Sequence, residues 1–136
     1  MDKVSQIMKI ICVTGIKSEY DILYPVLIEL QEKNHDLSIV ASGAHLSEYH
    51  NNTFARIIED GFTIVDNIDT LLSTDRSVQR SKGTGLLIQG LTQTVERINP
   101  EFLLVVVDLV KDPEKQLSTT SKICFASANL TSSTIL

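Results

Sequence analysis

Three stretches of this 136-residue sequence carry residue types that do chemistry. The first is Thr14-Gly15-Ile16-Lys17-Ser18-Glu19, which lies between an apolar run and a helical pattern. At such a strand-to-helix turn, free backbone N–H groups and the helix dipole favour an anion such as a diphosphate, and Lys17 adds a point charge. One glycine is neither the GxGxxG fingerprint nor a phosphate loop ending in Gly-Lys-Ser/Thr, so an ordinary solvated turn stands beside that reading. The second is Ser42-Gly43-Ala44-His45, where a neutral imidazole near a bound ligand donates a hydrogen bond or shuttles a proton. The alternative is a histidine packed on its own loop, and His35 and His50 fit that description better still. The third is Asp108, which closes an apolar run where a carboxylate serves as general acid or base, or else as a helix cap. No His, Cys, Asp and Glu share metal-ligand spacing.

The elements that position these residues follow from hydrophobic period. Ile7 to Val13 is short, rich in Ile, and bounded by Thr14-Gly15, as a strand buried on both faces requires. Ile22, Leu23, Val26, Leu27 and Leu30 then recur at helical spacing, with Ser18 and Asp21 as a candidate capping pair. Pro25 is read as near enough to the start to sit in the first turn or to bend the helix slightly, and the helix ends near Lys33-Asn34. Leu37 to Ala41 reads as a second strand, Thr53 to Glu59 as a helix ending at Gly61, and Phe62 to Val65 as a third strand. Asp69 to Gly83 reads as loop; the charged, glycine-bearing part from Asp75-Arg76-Ser77 through Lys82-Gly83-Thr84-Gly85 suits a surface loop with a fraying helix start. Leu86, Leu87, Leu91, Val95 and Ile98 form the stripe of a helix that stops at Asn99-Pro100, and Phe102 to Val107 is the most apolar strand. Alternating strands and helices at this spacing predict an α/β architecture: a Rossmann-like open parallel sheet with helices on both faces and ligands beyond the strand carboxyl ends.

Composition narrows the function. The 43% apolar and 21% charged content is that of a soluble globular chain, and a length near one ordinary domain gives a single core. Twelve basic residues scattered among seventeen acidic ones, net −5, argue against a nucleic-acid partner. No apolar stretch is long enough to span a bilayer, so the expectation is no membrane association and a cytoplasmic location. Cys12 and Cys124 are too few and too far apart for a disulfide framework. From Leu109 the character changes: nine of the nineteen residues from Ser118 to Leu136 are Ser or Thr, and beyond a short candidate strand at Ile123-Cys124-Phe125-Ala126 nothing continues the sheet. The expected organisation is therefore 1–108 as one α/β domain and 109–136 as a divergent Ser/Thr-rich tail. The edge after Phe102 to Val107 is then unpaired, which predicts self-association.

Taken in order, Val13-Thr14-Gly15-Ile16-Lys17-Ser18-Glu19-Tyr20, Ser42-Gly43-Ala44-His45-Leu46-Ser47, Ile68-Asp69 with Leu71-Leu72-Ser73 and Asp75, Gly85-Leu86, and Pro100-Glu101-Phe102-Leu103 to Asp108 resemble the hydrolysing UDP-N-acetylglucosamine 2-epimerases, the sialic-acid branch in particular. The resemblance spans residues 8–108 and implies that 1–108 is an incomplete N-terminal nucleotide-sugar epimerase domain, with 109–136 arising from a reading frame shifted near Asp108 or from a gene remnant. It implies the N-terminal half of a two-domain GT-B-type fold that binds UDP-N-acetylglucosamine, or a related UDP-sugar, between its domains. It also implies elimination of UDP, addition of water to give N-acetylmannosamine, no metal or organic cofactor, and a homo-oligomer.

Residue by residue, Lys17 stands where the family usually has a nucleotide-contacting arginine, Glu19 where an acidic residue is usual, and His45 where a substrate-proximal histidine is common. Asp108 matches the aspartate of a Gly-Asp-Arg motif, here flanked by Val107 and Leu109, and is the expected catalytic residue. The chain alone is expected to be inactive. Two other classes remain open: a non-catalytic interaction or dimerisation module derived from the epimerase, and a glycosyltransferase relative, which acceptor-dependent transfer would reveal.

Overall fold

The computed structural model describes residues 6–46, 53–70, 77–110, 119–127 and 133–135. Its elements are β1 (Lys9–Thr14), α1 (Lys17–Glu32), β2 (Asp36–Ser42), a 3-10 turn (Gly43–Leu46), α2 (Thr53–Glu59), β3 (Ile64–Ile68), α3 (Ser77–Ile98), β4 (Phe102–Val110), β5 (Thr119–Ser127) and β6 (Ser133–Ile135). They build one sheet in the order β3-β2-β1-β4-β5-β6. The first four strands in that order are parallel, with Ile10 opposite Leu37 on one side and Phe102 on the other.

β1 is central, and its residues from Ile10 to Thr14 are all buried, which is why it is a continuous apolar run rather than an alternating one. Period two assigns its side chains to two cores. Ile10 and Cys12 pack with Ile39 and Leu104 beneath Tyr20, Leu23 and Leu27 of α1 and Ile57 of α2. Ile11 and Val13 pack with Val40 and Ile68 beneath Leu87, Leu91 and Ile98 of α3. Helices therefore cover both faces of a Rossmann-like α/β sheet. Cys12 is buried and unpaired, and Cys124 lies on β5. Among the described residues no helix is long and apolar enough to cross a membrane.

Helix ends fall where the sequence places them. Asn34, Gly61 and Asn99 all adopt positive φ, the left-handed conformation that closes a helix. The starts differ. Ile16 is the N-cap of α1 and makes no side-chain cap bond, so Ser18 and Asp21 are not a capping pair. Pro25 lies in the helix interior, not in its first turn. An interior proline costs about 3 kcal/mol, whereas each buried large side chain contributes roughly 1.5–3 kcal/mol, so Tyr20, Leu23 and Leu27 together outweigh it.

Four further expectations are corrected. The third strand runs from Ile64 to Ile68, and Phe62 is a core residue preceding it. α3 begins at Ser77, so its glycines are helical: a Cβ on Gly83 would lie 2.7 Å from the Thr70 carbonyl oxygen, and glycine is what lets α3 approach the chain after β3. The edge of β4 is paired, because β5 runs antiparallel along it from Phe102↔Ser127 to Val110↔Thr119, and β6 continues outward. The argument for self-association through that edge lapses. Asp108 sits inside β4 opposite Ser121 instead of closing the strand.

Candidate nucleotide-sugar cleft

β1 and β2 end side by side, and beyond their carboxyl ends, beside Val105 and Val106 of the longer β4, lies a cleft of about 530 Å3. Its floor is Val13, Val105 and Val106; one wall is Gly15, Ile16, Glu19, Ser42 and Gly43; the other is Thr70 with Gly83, Thr84 and Leu87 of α3. Among the described lining residues there is one carboxylate and no basic side chain; the lining is largely aliphatic, with Glu19, Ser42, Thr70 and Thr84 as its polar residues.

The wall is held together through the Gly15 peptide. Glu19, in the first turn of α1, folds back so that its Oε2 accepts the Gly15 N–H at 2.7 Å. The Gly15 carbonyl accepts the His45 N–H at 3.3 Å. Gly43, at φ +56°, sits against the same carbonyl so closely that a Cβ would come within 2.9 Å of its oxygen. The ends of β1 and β2 are locked by this approach, supported by a bond from Ser42 Oγ to the Thr14 carbonyl at 3.5 Å.

His45 is fully buried behind that wall and does not line the cleft. Its Nε2 lies 2.9 Å from Thr14 Oγ1, and its Nδ1 is bonded to Thr53 Oγ1. One neutral tautomer satisfies the set: Nε2–H donates to Thr14, whose hydroxyl donates on to the Ile16 carbonyl, and Nδ1 accepts from Thr53. Burial holds the imidazole pKa below its usual 6.5, against a smaller opposite pull from the Ile16 backbone. Above that pH His45 is neutral in both folded and unfolded chains and its contribution is constant. Below it the unfolded chain takes up a proton that the folded chain refuses, so stability falls as pH drops. The urea midpoint should therefore decline between pH 7 and 5, and His45→Gln should flatten that decline; an equal slope in both proteins would show that other groups carry it.

Lys17 also faces away from the cleft. Its Nζ meets Asp21 at 2.6 Å, the Asp21 carboxylate bonds Arg56 at 2.8 Å, and Arg56 reaches Asp60 at 3.7 Å. Lys17 first, and Arg56 after it, hold the Asp21 carboxyl below its usual range. Asp60 in turn accepts the Tyr20 hydroxyl at 2.6 Å, and Arg56 lies over the Tyr20 ring at 5.2 Å. The network ties α1 to α2. Burial pushes the Cys12 thiol up to about 12, with nearby Glu19 adding to it, so Cys12 is a packing residue and not a nucleophile.

Of the three expected site residues whose side chains are described, Lys17, Glu19 and His45, Glu19 alone lines the cleft. The Asp108 side chain lies outside the described residues, as do His50, Asp75 and Arg76. His35 accepts the Met8 N–H at its Nδ1, a local structural bond. Sequence reasoning missed Thr70 and took Gly83-Thr84 for loop; the signal was a pair of glycines followed immediately by the Leu86-Leu87 stripe. Among the described residues no group of three or more His, Cys, Asp or Glu is arranged to hold a metal ion.

Residues 28–111 match the family described as UDP-N-acetylglucosamine 2-epimerase. The chain belongs to that family. Two relatives extend the match. The UDP-N,N'-diacetylbacillosamine 2-epimerase (hydrolyzing) of Legionella pneumophila is 34% identical over 103 residues, 75% of this chain and 27% of that protein. The GDP/UDP-N,N'-diacetylbacillosamine 2-epimerase (hydrolyzing) of Campylobacter jejuni is 30% identical over 101 residues, 74% of this chain and 26% of that protein. This epimerase-family chain thus spans about a quarter of the length of the curated relatives it matches. The matched segment runs from α1 to the end of β4 and so includes Ser42, Gly43, Thr70 and Gly83 of the cleft, together with the buried His45.

Proposed function

We propose that this chain forms one wall of the substrate site of a hydrolysing UDP-sugar 2-epimerase, and that the wall receives the sugar. The substrate is a UDP-linked 2-acetamido sugar, either UDP-N-acetylglucosamine or a diacetylated 6-deoxy relative. In the reaction a base removes the C2 proton as the C1–O bond to UDP breaks, giving a 1,2-unsaturated sugar. Water then adds hydroxyl at C1 and a proton at C2 on the opposite face, releasing the 2-epimer, N-acetylmannosamine in the first case.

The observation that carries this reading is the cleft at the strand carboxyl ends, with Glu19 and the Ser42, Thr70 and Thr84 residues around it. Hydroxyl-bearing residues suit a sugar; a described lining without cations does not suit a diphosphate, which needs them. Elimination requires an acid, a base and positive charge on the leaving group, and the described lining supplies a single carboxylate. The chain alone is therefore expected to bind and not to turn over.

UDP release from UDP-N-acetylglucosamine by the purified chain should stay at the no-enzyme level, while the same ligand shifts the Gly15, Ser42, Gly43 and Thr84 amides in a saturable NMR titration. Release of UDP with N-acetylmannosamine would show that the chain assembles a complete site. A titration that leaves those amides unmoved would sink the reading.

A further inference from the structure

We propose that Glu19 is a positioning residue of this cleft, acting on the ligand through the backbone turn at Gly15, whose N–H it holds in place. The proposal rests on the nucleotide-sugar reading above for the identity of the ligand, and on the geometry alone for the lock.

A helix whose N-cap has no side-chain oxygen leaves its first N–H groups and the preceding turn without a local acceptor. That is the situation at Ile16, which is extended and makes no cap bond. Glu19 compensates one residue further back, reaching past the N-cap to the Gly15 N–H. This is half of a capping box displaced by one position, and because the acceptor is ionised the bond is of the stronger kind.

What makes the bond more than a cap is the other face of the turn. The Gly15 carbonyl is the shared contact of the His45 N–H and of Gly43, which together with the Ser42 bond to the Thr14 carbonyl fasten the end of β2 to the end of β1. Gly15 and Gly43 both line the cleft, as does Glu19 itself. The orientation of the turn around Gly15 therefore sets the spacing of that wall, and the carboxylate fixes it from the N–H side. Occupied in this way, the Gly15 N–H is withdrawn from any phosphate, and like charge keeps an anion from displacing the carboxylate.

A residue that works by accepting a hydrogen bond from Gly15 is replaceable by glutamine, whose amide oxygen accepts the same bond. One that works by presenting charge to the ligand is not. The test uses the whole chain as wild type, Glu19→Gln and Glu19→Ala, each checked for a dispersed amide spectrum, with Gly15 hydrogen exchange and UDP-N-acetylglucosamine titration as readouts. Glu19→Ala should speed Gly15 exchange and weaken binding by about tenfold or more, and Glu19→Gln should stay within about threefold of wild type in both.

Loss of affinity in Glu19→Gln equal to that in Glu19→Ala, with Gly15 still protected, would overturn the proposal in favour of direct contact. Equal Gly15 protection in all three proteins would overturn it outright. Should the wild-type chain not bind the probe, the nucleotide-sugar reading fails by itself. The lock is then decided by exchange at Gly15: protection lost in Glu19→Ala and kept in Glu19→Gln supports it.

Discussion

Replacing His45 with alanine is expected to destabilise the chain by about 3 to 5 kcal/mol, enough to remove much of the stability of a domain this size. Two effects add. The imidazole is completely buried, so its removal leaves a cavity under the wall formed by Gly15 and Gly43. It is also the acceptor for the buried Thr53 hydroxyl, whose loss of a partner costs about 1 to 3 kcal/mol, while the Thr14 hydroxyl keeps its bond to the Ile16 carbonyl. Urea unfolding at pH 7.5 measures the loss. A double-mutant cycle with Thr53→Val separates the two contributions, because removing the hydroxyl together with its partner should recover part of the penalty. A loss below about 1 kcal/mol would mean that the site relaxes around the cavity and that His45 is not the clamp between β1 and α2.

Gly43→Ala is the second large effect, at about 2 to 4 kcal/mol. Position 43 lies at φ +56°, where an L-residue is strained by about 1 to 2 kcal/mol, and the new methyl would sit 2.9 Å from the Gly15 carbonyl oxygen. The obstacle is backbone, so no rotamer change relieves it. The ends of β1 and β2 must separate, and the cleft wall moves with them. Denaturant unfolding should show the loss, and the Gly15 and His45 amides should shift in the spectrum of whatever folded fraction remains. Substitution at Gly85, which has nothing within 4 Å of its Cβ direction, is the control: Gly85→Ala lies in a helix and should be neutral or stabilising by up to about 1 kcal/mol.

Much of the fold was legible because its signals are local. β1 and β2, and β4 as far as Val107, stand out as apolar runs since parallel strands covered on both faces have no polar side to show. The stripe through Leu87, Leu91 and Ile98 announced α3, and Asn34, Gly61 and Asn99 marked helix ends because they tolerate positive φ. The ordered motifs led to the epimerase family, which the match over residues 28–111 establishes. Where local signals misled, a tertiary contact had outweighed them. Gly83 reads as a breaker, yet it is helical because the Thr70 backbone leaves room for nothing larger. The short strand read at Ile123-Cys124-Phe125-Ala126 is longer, Thr119–Ser127, because the β4 edge offers nine residues to pair with.

The candidate site divides along the same line. From the sequence alone came the family, the α/β class and the two turns, after β1 and after β2, that border the cleft. Sequence spacing could not say which side chains at those turns meet a ligand. Lys17, His45 and Glu19 were equal candidates there, and only the register between β1 and β2 sorted them. Pairing Thr14 with Ala41 brings Gly43 against Gly15, turns His45 inward onto Thr14 and leaves Glu19 at the cleft, while α2 draws Lys17 aside through Asp21 and Arg56. Hydrophobic period records which face of an element is buried, a property of neighbouring residues; hydrogen-bond partners and close backbone approaches belong to segments far apart in the chain, and exist only once the sheet has set their distance.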